Sequence, residues 1–308
     1  MKAYTIASNA LTPVEKVDLA APLRDVFLIC DCEELTAFYQ AQGFDRSTLK
    51  DCAVHDDYCK SISFDKYDFY NISYFQKTGT SVMKNELNLY VGKDYVIVVT
   101  DDPGEAHAVE VNVAKGHDVL KGDRHDYVLY MVFDYLLDTM FAAIEGFEDD
   151  IDNLEIDVMS RANDENFKTI VDYKSLSNMI RKHARSLVYL GEFLELNEND
   201  FISKANTKYF AVIDARLRKL LDFSLSLSEQ ITQLQSSYDS AIQQRQNKAG
   251  ERLSFMAFLV GPLTVITGIY GMNFKYMPEI SWKLGYPLAI LGMIIIDAVF
   301  FLSFRRKK

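Results

Sequence analysis

The sequence predicts an α+β membrane protein with an N-terminal cytosolic α/β domain, a long helical stalk and two C-terminal transmembrane helices, the first of which continues the stalk. Three observations predict this: two long apolar stretches near the C-terminus, no proline between Gly104 and Gly261, and aromatic and β-branched segments before that gap. We expect an α/β domain over 1–122, a helical region with the stalk over 123–250, and a transmembrane hairpin over 251–308.

The α/β domain is predicted from short segments that are bounded by Asp, Gly or Asn. Aromatic and β-branched residues are typical of strands, and they are concentrated in Asp25–Asp31, Lys60–Tyr74 and Glu86–Thr100. Helices are expected over Glu33–Gln42 and Arg46–Val54.

Three helices are predicted in the proline-free region. The first covers Asp126–Ala162, the second Phe167–Leu194, and the third begins near Asn206 without a stop signal before Gly250. If the third continues to Ile269, it is a rod of roughly 95 Å at 1.5 Å per residue. Such a helix needs neighbours to cover its apolar stripe, and other copies of the chain are the obvious candidates.

The membrane prediction depends on two stretches. Leu253–Phe274 has no charge, and Leu284–Phe304 has Asp297 as its only acid. Both exceed the roughly 20 residues that span a bilayer. We place the first span at about 251–270, the outer loop at 271–283, the second span at about 284–304 and a basic tail at 305–308. Seven basic residues flank the two ends of this hairpin that are farthest from the loop, and two lie in the loop itself. This distribution predicts a multi-pass protein of the cell membrane with both termini in the cytoplasm.

Composition excludes several classes of function. The net charge of -11 argues against a nucleic-acid partner and is compatible with attraction of cations. No G-x-x-x-x-G-K-[ST] phosphate loop is present. Nothing before Pro22 gathers the apolar run of a cleavable signal. We expect neither ATP hydrolysis nor another enzymatic activity.

Four cysteines, Cys30, Cys32, Cys52 and Cys59, lie in the N-terminal part, with His55 between the last two. A C-x-C pair followed by C-x6-C departs from the usual zinc spacing. Reduced, buried thiols are therefore favoured over a zinc site.

An acidic cluster occurs in the first long helix. Its members are Glu145, Glu148, Asp149, Asp150, Asp152, Glu155 and Asp157. Because it lacks the ligand spacing and glycine of an EF-hand loop, a solvated helix face is favoured over a metal-sensing surface.

A stripe of small or polar residues follows one face of the first membrane segment. Its members are spaced alternately by 3 and 4 and are Asn247, Gly250, Ser254, Ala257, Gly261, Thr264 and Gly268. Two explanations compete: close packing between helices in lipid, or the lining of a water-filled path. A single hairpin cannot enclose a channel, so a pore requires a ring of subunits.

The outer loop carries a recognisable pattern. Tyr270-Gly271-Met272-Asn273-Phe274, then Met277-Pro278-Glu279-Ile280, Trp282 and Gly285-Tyr286-Pro287, closely resembles the CorA family of magnesium transporters. The family's Gly-Met-Asn motif and its Met-Pro-Glu-Leu loop are both present, with Ile280 in place of Leu. The resemblance is close over the hairpin and architectural elsewhere.

The resemblance implies a funnel-shaped homopentamer in which the stalk helices and first membrane helices surround a pore. Its ion-binding mouth falls on Gly271, Met272 and Asn273, with Glu279 gathering cations. The family's pore face falls on Asn247, Gly250, Leu253, Ala257, Gly261, Thr264 and Gly268, which differs from the stripe only in taking Leu253 instead of Ser254.

The transported ion that the resemblance implies is Mg²⁺, with Co²⁺ or Ni²⁺ as further cargo. Mg²⁺ gives up water reluctantly, so amide and carbonyl oxygens can select it in hydrated form. The membrane potential can drive influx without ATP. Mg²⁺ also regulates many family members, and Asp214 and Asp222 are candidates for such a site.

Two departures and two alternatives accompany this interpretation. Gly250 and Gly261 stand where many members have bulky apolar residues, so a hydrophobic gate would depend mainly on Leu253. Asp297 is unusual in a membrane helix, and a hydrogen-bonded or protonated structural group is favoured over a role in proton coupling. The alternatives are a ZntB-like zinc transporter and a membrane adaptor that transports nothing.

Overall fold

The computed structural model describes residues 1–7, 10–54, 58–79, 81–115, 124–273, 275–278 and 282–305. The chain divides into two compact units, Met1–Ser236 and Ser237–Lys308. Each unit is described by itself.

The first unit contains a seven-stranded sheet. Its strands are β1 Lys2–Ala7, β2 Ala10–Pro13, β3 Val26–Cys30, β4 Lys60–Phe64, β5 Tyr67–Thr78, β6 Ser81–Gly92 and β7 Tyr95–Val99. They lie in the order β2-β1-β3-β7-β6-β5-β4. Only β3 and β7 pair in parallel, with Leu28 opposite Ile97, and all other neighbours are antiparallel.

The predicted strand regions are occupied by strands, but two of these regions each contain parts of two strands and not one. The segment Lys60–Tyr74 is two strands, because Asp65 and Lys66 form a turn, and Glu86–Thr100 likewise contains the end of β6 and all of β7. The turn at Asp65 and Lys66 contains neither Gly nor Pro, the residues that usually mark a reversal, whereas the reversal from β6 to β7 includes Gly92. Strands β1 and β2 were not predicted.

Helices cover one face of the sheet in the form of α1 (Cys32–Gln42) and α2 (Arg46–Ala53), both close to their predicted bounds. The Asp31 side chain accepts from the N–H of Glu34, while Gly43, at φ 75°, ends α1 in the left-handed region that glycine adopts without strain. Leu35 and Phe38 of α1 pack on this face of the sheet, in a core that also contains Phe69 and Tyr90.

The opposite face of the sheet is covered by longer helices. Because side chains alternate along a strand, Tyr70 points away from Phe69. The ring of Tyr70 contacts Phe133 and Phe193, which lie on α4 (Arg124–Arg161) and α5 (Asp164–Leu196). A further helix, α3 (Pro103–Lys115), packs against α4 and was not predicted.

The packing of α4 and α5 on the sheet explains why residues up to Ser236 form one compact unit. The predicted boundary after residue 122 lies outside the described residues, and the division into two compact units falls between residues 236 and 237. The functional division into three segments stays a prediction.

The last two helices are α6 (Thr207–Tyr270) and α7 (Gly285–Arg305). The 64 residues of α6 form one helix that contains Pro262, as the missing stop signal predicted. Its N-terminal part belongs to the first unit and its C-terminal part to the second.

Candidate functional site

In the described part of the chain, three helices are long and apolar enough to cross a membrane, and they differ in how far they are buried. In α4 the apolar window is 61% buried within the first unit, whereas the windows of α6 and α7 are 0% and 6% buried. An apolar surface of this size would be unfavourable in water. The predicted spans in α6 and α7 therefore stand as membrane candidates, while the apolar face of α4 belongs to a protein core.

Within the second unit, α6 and α7 are antiparallel neighbours. Ring centroids lie 6.1 Å apart in both the Phe255–Phe301 and the Phe258–Phe300 contacts. Within residues 251–270 of α6, the half-buried residues are on the side of these contacts; they are Phe255, Leu259, Pro262, Leu263 and Ile266.

The predicted pore residues lie on a different side of α6. At about 100° per residue, their mean direction is roughly 180° from the half-buried side. All seven are exposed in the single chain, namely Asn247, Gly250, Leu253, Ala257, Gly261, Thr264 and Gly268. Ser254, the alternative to Leu253, is exposed as well. The hairpin therefore keeps this face free of its own second helix.

This face of α6 carries few bulky side chains. A Cβ added at Gly250, Gly261 or Gly268 would meet no atom within 4 Å. Leu253 is the bulkiest of the seven and is 73% exposed. The Thr264 hydroxyl donates to the Val260 carbonyl at 2.9 Å, which leaves its oxygen lone pairs for water or a ligand.

The predicted mouth begins where α6 ends. Gly271 N–H donates to the Thr267 carbonyl at 2.9 Å and Met272 N–H to the Ile269 carbonyl at 3.1 Å, so these bonds close the last turn. Met272 and Asn273 follow and are exposed. The C-terminal end of a helix carries partial negative charge, and this favours a cation beside Asn273.

The rest of the outer loop is described only in part. Glu279, predicted to gather cations, lies outside the described residues, as do Phe274, Ile280 and Ser281. Beside Gly271 there is a cavity of about 480 Å³. Its aromatic walls come from Tyr270, Trp282 and Tyr286. The sequence pattern included these aromatic residues but did not show that they enclose a space.

The two candidate regulatory acids differ in environment. Asp214 is buried, at 7% exposure, and accepts from Arg218 Nε at 2.8 Å, so it is not the solvated surface acid that its position on a long helix suggested. Asp222 is exposed. Two turns of helix separate them by about 12 Å, too far for one ion to bind both within a chain.

The acidic cluster of α4 faces outward. Its apolar neighbours Phe147, Ile151 and Val158 are buried, while the acids are exposed or half-buried. Asp150 pairs with Lys77 at 2.8 Å, and Glu148 accepts from Gln230 at 3.2 Å. Among the residues described, no three His, Cys, Asp or Glu side chains are grouped as metal ligands.

The cysteines are free thiols. Burial raises the pKa of Cys52 to about 12 and that of Cys59 to about 11, so both are protonated and unreactive at neutral pH. His55, the histidine considered with them as a zinc ligand, is outside the described residues.

A group of three charged side chains that the sequence did not indicate lies between α4 and α6. Arg216 donates to Asp134 Oδ1 at 2.5 Å and to Asp138 Oδ1 at 2.6 Å. The two acids are spaced i, i+4 on α4, a pattern that places them on one face. The position of the arginine 78 residues further along could not be deduced from it.

Comparison with known proteins gives consistent results. A family model described as "CorA-like Mg2+ transporter protein" matches residues 27–306. The cobalt/magnesium transport protein CorA of Thermotoga maritima is 28% identical over 248 residues, which are 80% of this chain and 71% of that protein. A putative metal ion transporter of Bacillus subtilis, YfjQ, is 28% identical over 251 residues, 80% and 76% of the two chains.

Solved structures agree on the fold. The complete structure of the CorA magnesium transporter from Methanocaldococcus jannaschii matches with a TM-score of 0.80 at 18% identity and covers 100% of this chain and 98% of that one. The ZntB cytoplasmic domain from Vibrio parahaemolyticus matches with a TM-score of 0.64 at 9% identity, over 79% of this chain and 98% of that domain.

Proposed function

Because the chain belongs to the CorA-like Mg²⁺ transporter family, and hence to a family of divalent cation transporters, we propose that it conducts hydrated Mg²⁺ through a homopentameric pore. The observation that carries this proposal is the position of Gly271-Met272-Asn273, directly after the exposed apolar end of α6. Co²⁺ and Ni²⁺ are further cargo in the proposal.

One copy of the chain offers too few ligands at this mouth. Mg²⁺ prefers six oxygens in octahedral geometry and retains several of its waters. Gly271 supplies a carbonyl and Asn273 an amide oxygen. A ring of five copies supplies ten such oxygens, which can accept from the waters of a hydrated ion. Met272 is the spacer between them, and Glu279 raises the local cation concentration.

The exposed face of α6 suits a conduction path. Between Asn247 and Gly268 the charged residues are Lys248, Glu251 and Arg252, and none of them is among the seven pore positions. A path without charge binds the ion weakly enough for it to leave. In the proposed ring, α7 lies outside, since it covers the opposite side of α6.

The driving force in this proposal is the membrane potential. A divalent cation gains about 4.6 kcal/mol per 100 mV, twice the value for one charge. Influx requires that the mouth at Asn273 face outward and that both termini lie in the cytoplasm. Asp214 and Asp222 are proposed as regulatory contacts between copies, and Asp214 would first have to leave Arg218.

The test is Mg²⁺ uptake into liposomes that contain the purified full-length protein, with an imposed potential. Asn273→Ala removes the amide oxygen, and we expect uptake to fall by at least tenfold, the effect of about 1.4 kcal/mol. Val265→Ala is the control, since Val265 is an exposed apolar residue of α6 outside the proposed pore face.

Both variants must keep the oligomeric state of the parent protein, measured by light scattering in detergent. Normal uptake by Asn273→Ala would refute the assignment of the mouth, and an assembly other than five copies would refute the pentamer.

A zinc transporter is the second candidate, because the ZntB cytoplasmic domain has the fold of the first unit and the fold alone does not determine the ion. The same liposomes would be loaded in parallel with Mg²⁺, Co²⁺, Ni²⁺ and Zn²⁺, with and without a proton gradient. Uptake of Zn²⁺ alone would support the zinc transporter. If no divalent ion enters, the chain acts as a membrane adaptor and the small residues of α6 serve packing.

A further inference from the structure

Asp297 occupies the middle of the α7 face that packs on α6. The residues of α7 that contact α6 or line the cavity beside Gly271 include Tyr286, Ile290, Met293 and Phe301. With Asp297 they are spaced by 4, 3, 4 and 4 residues, which is one helix face. Its Oδ1 is buried and has no hydrogen-bond partner among the residues that the structure describes.

The depth of Asp297 places it in the hydrocarbon region if α7 spans the membrane. It is three residues from the centre of the predicted span, or about 5 Å. An ionised carboxylate is unfavourable there unless it is paired. The sequence offers no cation, since neither Leu253–Ile269 of α6 nor Gly285–Phe304 of α7 contains a basic residue. Tyr270 and Tyr286 are the titratable groups of these faces, and both lie at the outer end.

The two threonine hydroxyls of α6 near this level already donate hydrogen bonds within their own helix. Thr264 Oγ1 donates to the Val260 carbonyl at 2.9 Å, and Thr267 Oγ1 to the Leu263 carbonyl at 2.9 Å. Thr264 also lies on the exposed face, away from α7. A carboxylate at Asp297 would therefore need a donor that this side of α6 does not provide.

An acceptor, in contrast, is available. Pro262 lies inside α6 and has no N–H, so the Phe258 carbonyl four residues earlier lacks its helical partner. The contact of Phe258 with Phe300 fixes the level of the two helices. Because α7 runs antiparallel to α6, Asp297 lies about one turn closer to the connecting loop than Phe300. The Phe258 carbonyl also points along α6 toward that loop, and so toward the level of Asp297.

We propose that Asp297 is a proton-binding site within the membrane, where its protonated carboxyl donates a hydrogen bond to the Phe258 carbonyl and fastens α7 to α6 at Pro262. The proton stays on the carboxyl oxygen. Both partners are then satisfied: the acid is neutral, and the carbonyl regains the donor that Pro262 removed. This bond goes beyond the proposed transport and does not depend on which ion is carried.

Two substitutions distinguish a donor from a charge. Asp297→Asn has nearly the same shape, cannot ionise and keeps a donor in its amide, whereas Asp297→Leu has no donor. We expect Asp297→Asn to unfold at the temperature of the parent protein and Asp297→Leu to unfold lower by roughly 2 °C. The measurement uses full-length protein in lipid bilayers. Equal destabilisation by both variants would overturn the proposal.

Pro262→Ala tests the acceptor, because alanine restores the N–H that the Phe258 carbonyl needs. In that background the difference between Asp297→Asn and Asp297→Leu should disappear, a non-additivity typical of groups in contact. A difference as large as in the parent protein would show that Asp297 has another partner.

Infrared spectroscopy reads the proton directly. At neutral pH the difference spectrum between the parent protein and Asp297→Asn should contain the C=O stretch of a protonated carboxyl, which cancels for every other acid of the chain. A carboxylate band in its place would refute the protonated state. This readout is independent of uptake, so a failure of the transport assay leaves it intact.

Discussion

Replacing Gly191 by alanine tests how closely α5 and α6 pack in the first unit. A Cβ at this position would lie 2.6 Å from Asp214 Oδ1, 3.0 Å from Leu217 Cδ1 and 3.2 Å from the Asp214 Cα atom. The first contact cannot be relieved by a side-chain swing alone, because Arg218 holds the other carboxylate oxygen at 2.8 Å and the Cα atom belongs to the backbone.

The magnitude follows from two opposing terms. Overpacking a tight interface costs about 1–3 kcal/mol. Alanine in a helix interior gains about 1 kcal/mol over glycine. Because one of the contacts is with backbone, the overpacking cost lies in the upper part of this range, at about 2–3 kcal/mol. The net expectation for Gly191→Ala is a loss of about 1–2 kcal/mol, which corresponds to a fall in Tm of roughly 2–8 °C for a unit of this size.

Gly146→Ala is the matched control. It is also a helical glycine of the first unit, but its Cβ would meet the flexible end of Lys77, with Cδ at 2.8 Å, instead of backbone. We expect its stability to stay within about 0.5 kcal/mol of the parent protein. Urea unfolding of purified full-length variants, followed by circular dichroism, measures both. If Gly191→Ala is as stable as Gly146→Ala, α5 and α6 are not packed as closely as these distances require.

Two further predictions concern buried charge in the first unit. Burial raises the pKa of Glu105, although Thr100 and Tyr74 donate to it, so its contribution to stability is present at low pH and lost as pH rises through the folded pKa. Glu105→Gln should therefore gain stability relative to the parent protein as the pH rises above the ordinary pKa of a glutamate, by about 1.4 kcal/mol for each unit of pKa shift. A difference in stability that does not vary with pH would contradict this. Arg216→Ala leaves Asp134 and Asp138 without their guanidinium and should lower the free energy of unfolding by about 1–2 kcal/mol, and by less at high salt. Arg216→Lys keeps the charge but cannot donate to both carboxylates in the same geometry, and its loss of stability should be smaller. Urea unfolding at low and high salt measures this, and equal losses at both salt concentrations would argue against an ionic origin.

Local signals in the sequence accounted for most elements of the fold. The long helices were predicted because proline is absent and apolar residues repeat at helical spacing. Helix α3 was missed although its start is encoded locally: Asp102 precedes Pro103, and its side chain accepts from the N–H of Gly104 at 2.8 Å. The order of the strands could not be predicted from local patterns, because the parallel pairing of β3 with β7 joins segments about seventy residues apart.

The candidate site was predictable to a different degree at each residue. Gly271 and Asn273 were proposed as site residues from a short motif, and their place after the end of α6 required only the helix to be long enough. The burial of Asp214 could not be foreseen, since it depends on the close approach of α5 at Gly191. For Asp297 the sequence indicated an anomaly, and the contacts of α7 with α6 were needed to show which way the residue faces.

The two sides of α6 in the second unit suggest a division of roles. Its half-buried side, which includes Pro262, is covered by α7, and its exposed side offers small residues and Leu253. A gate that depends on bulky apolar groups would have Leu253 alone, because Gly250 and Gly261 contribute no side chain. Proline weakens the helical hydrogen bonding of α6 at Pro262, so the direction of α6 at this point would influence how closely neighbouring copies of Leu253 approach in the proposed ring. The proposed bond from Asp297 to the Phe258 carbonyl would restrain α6 at this point from the side that the ion does not touch.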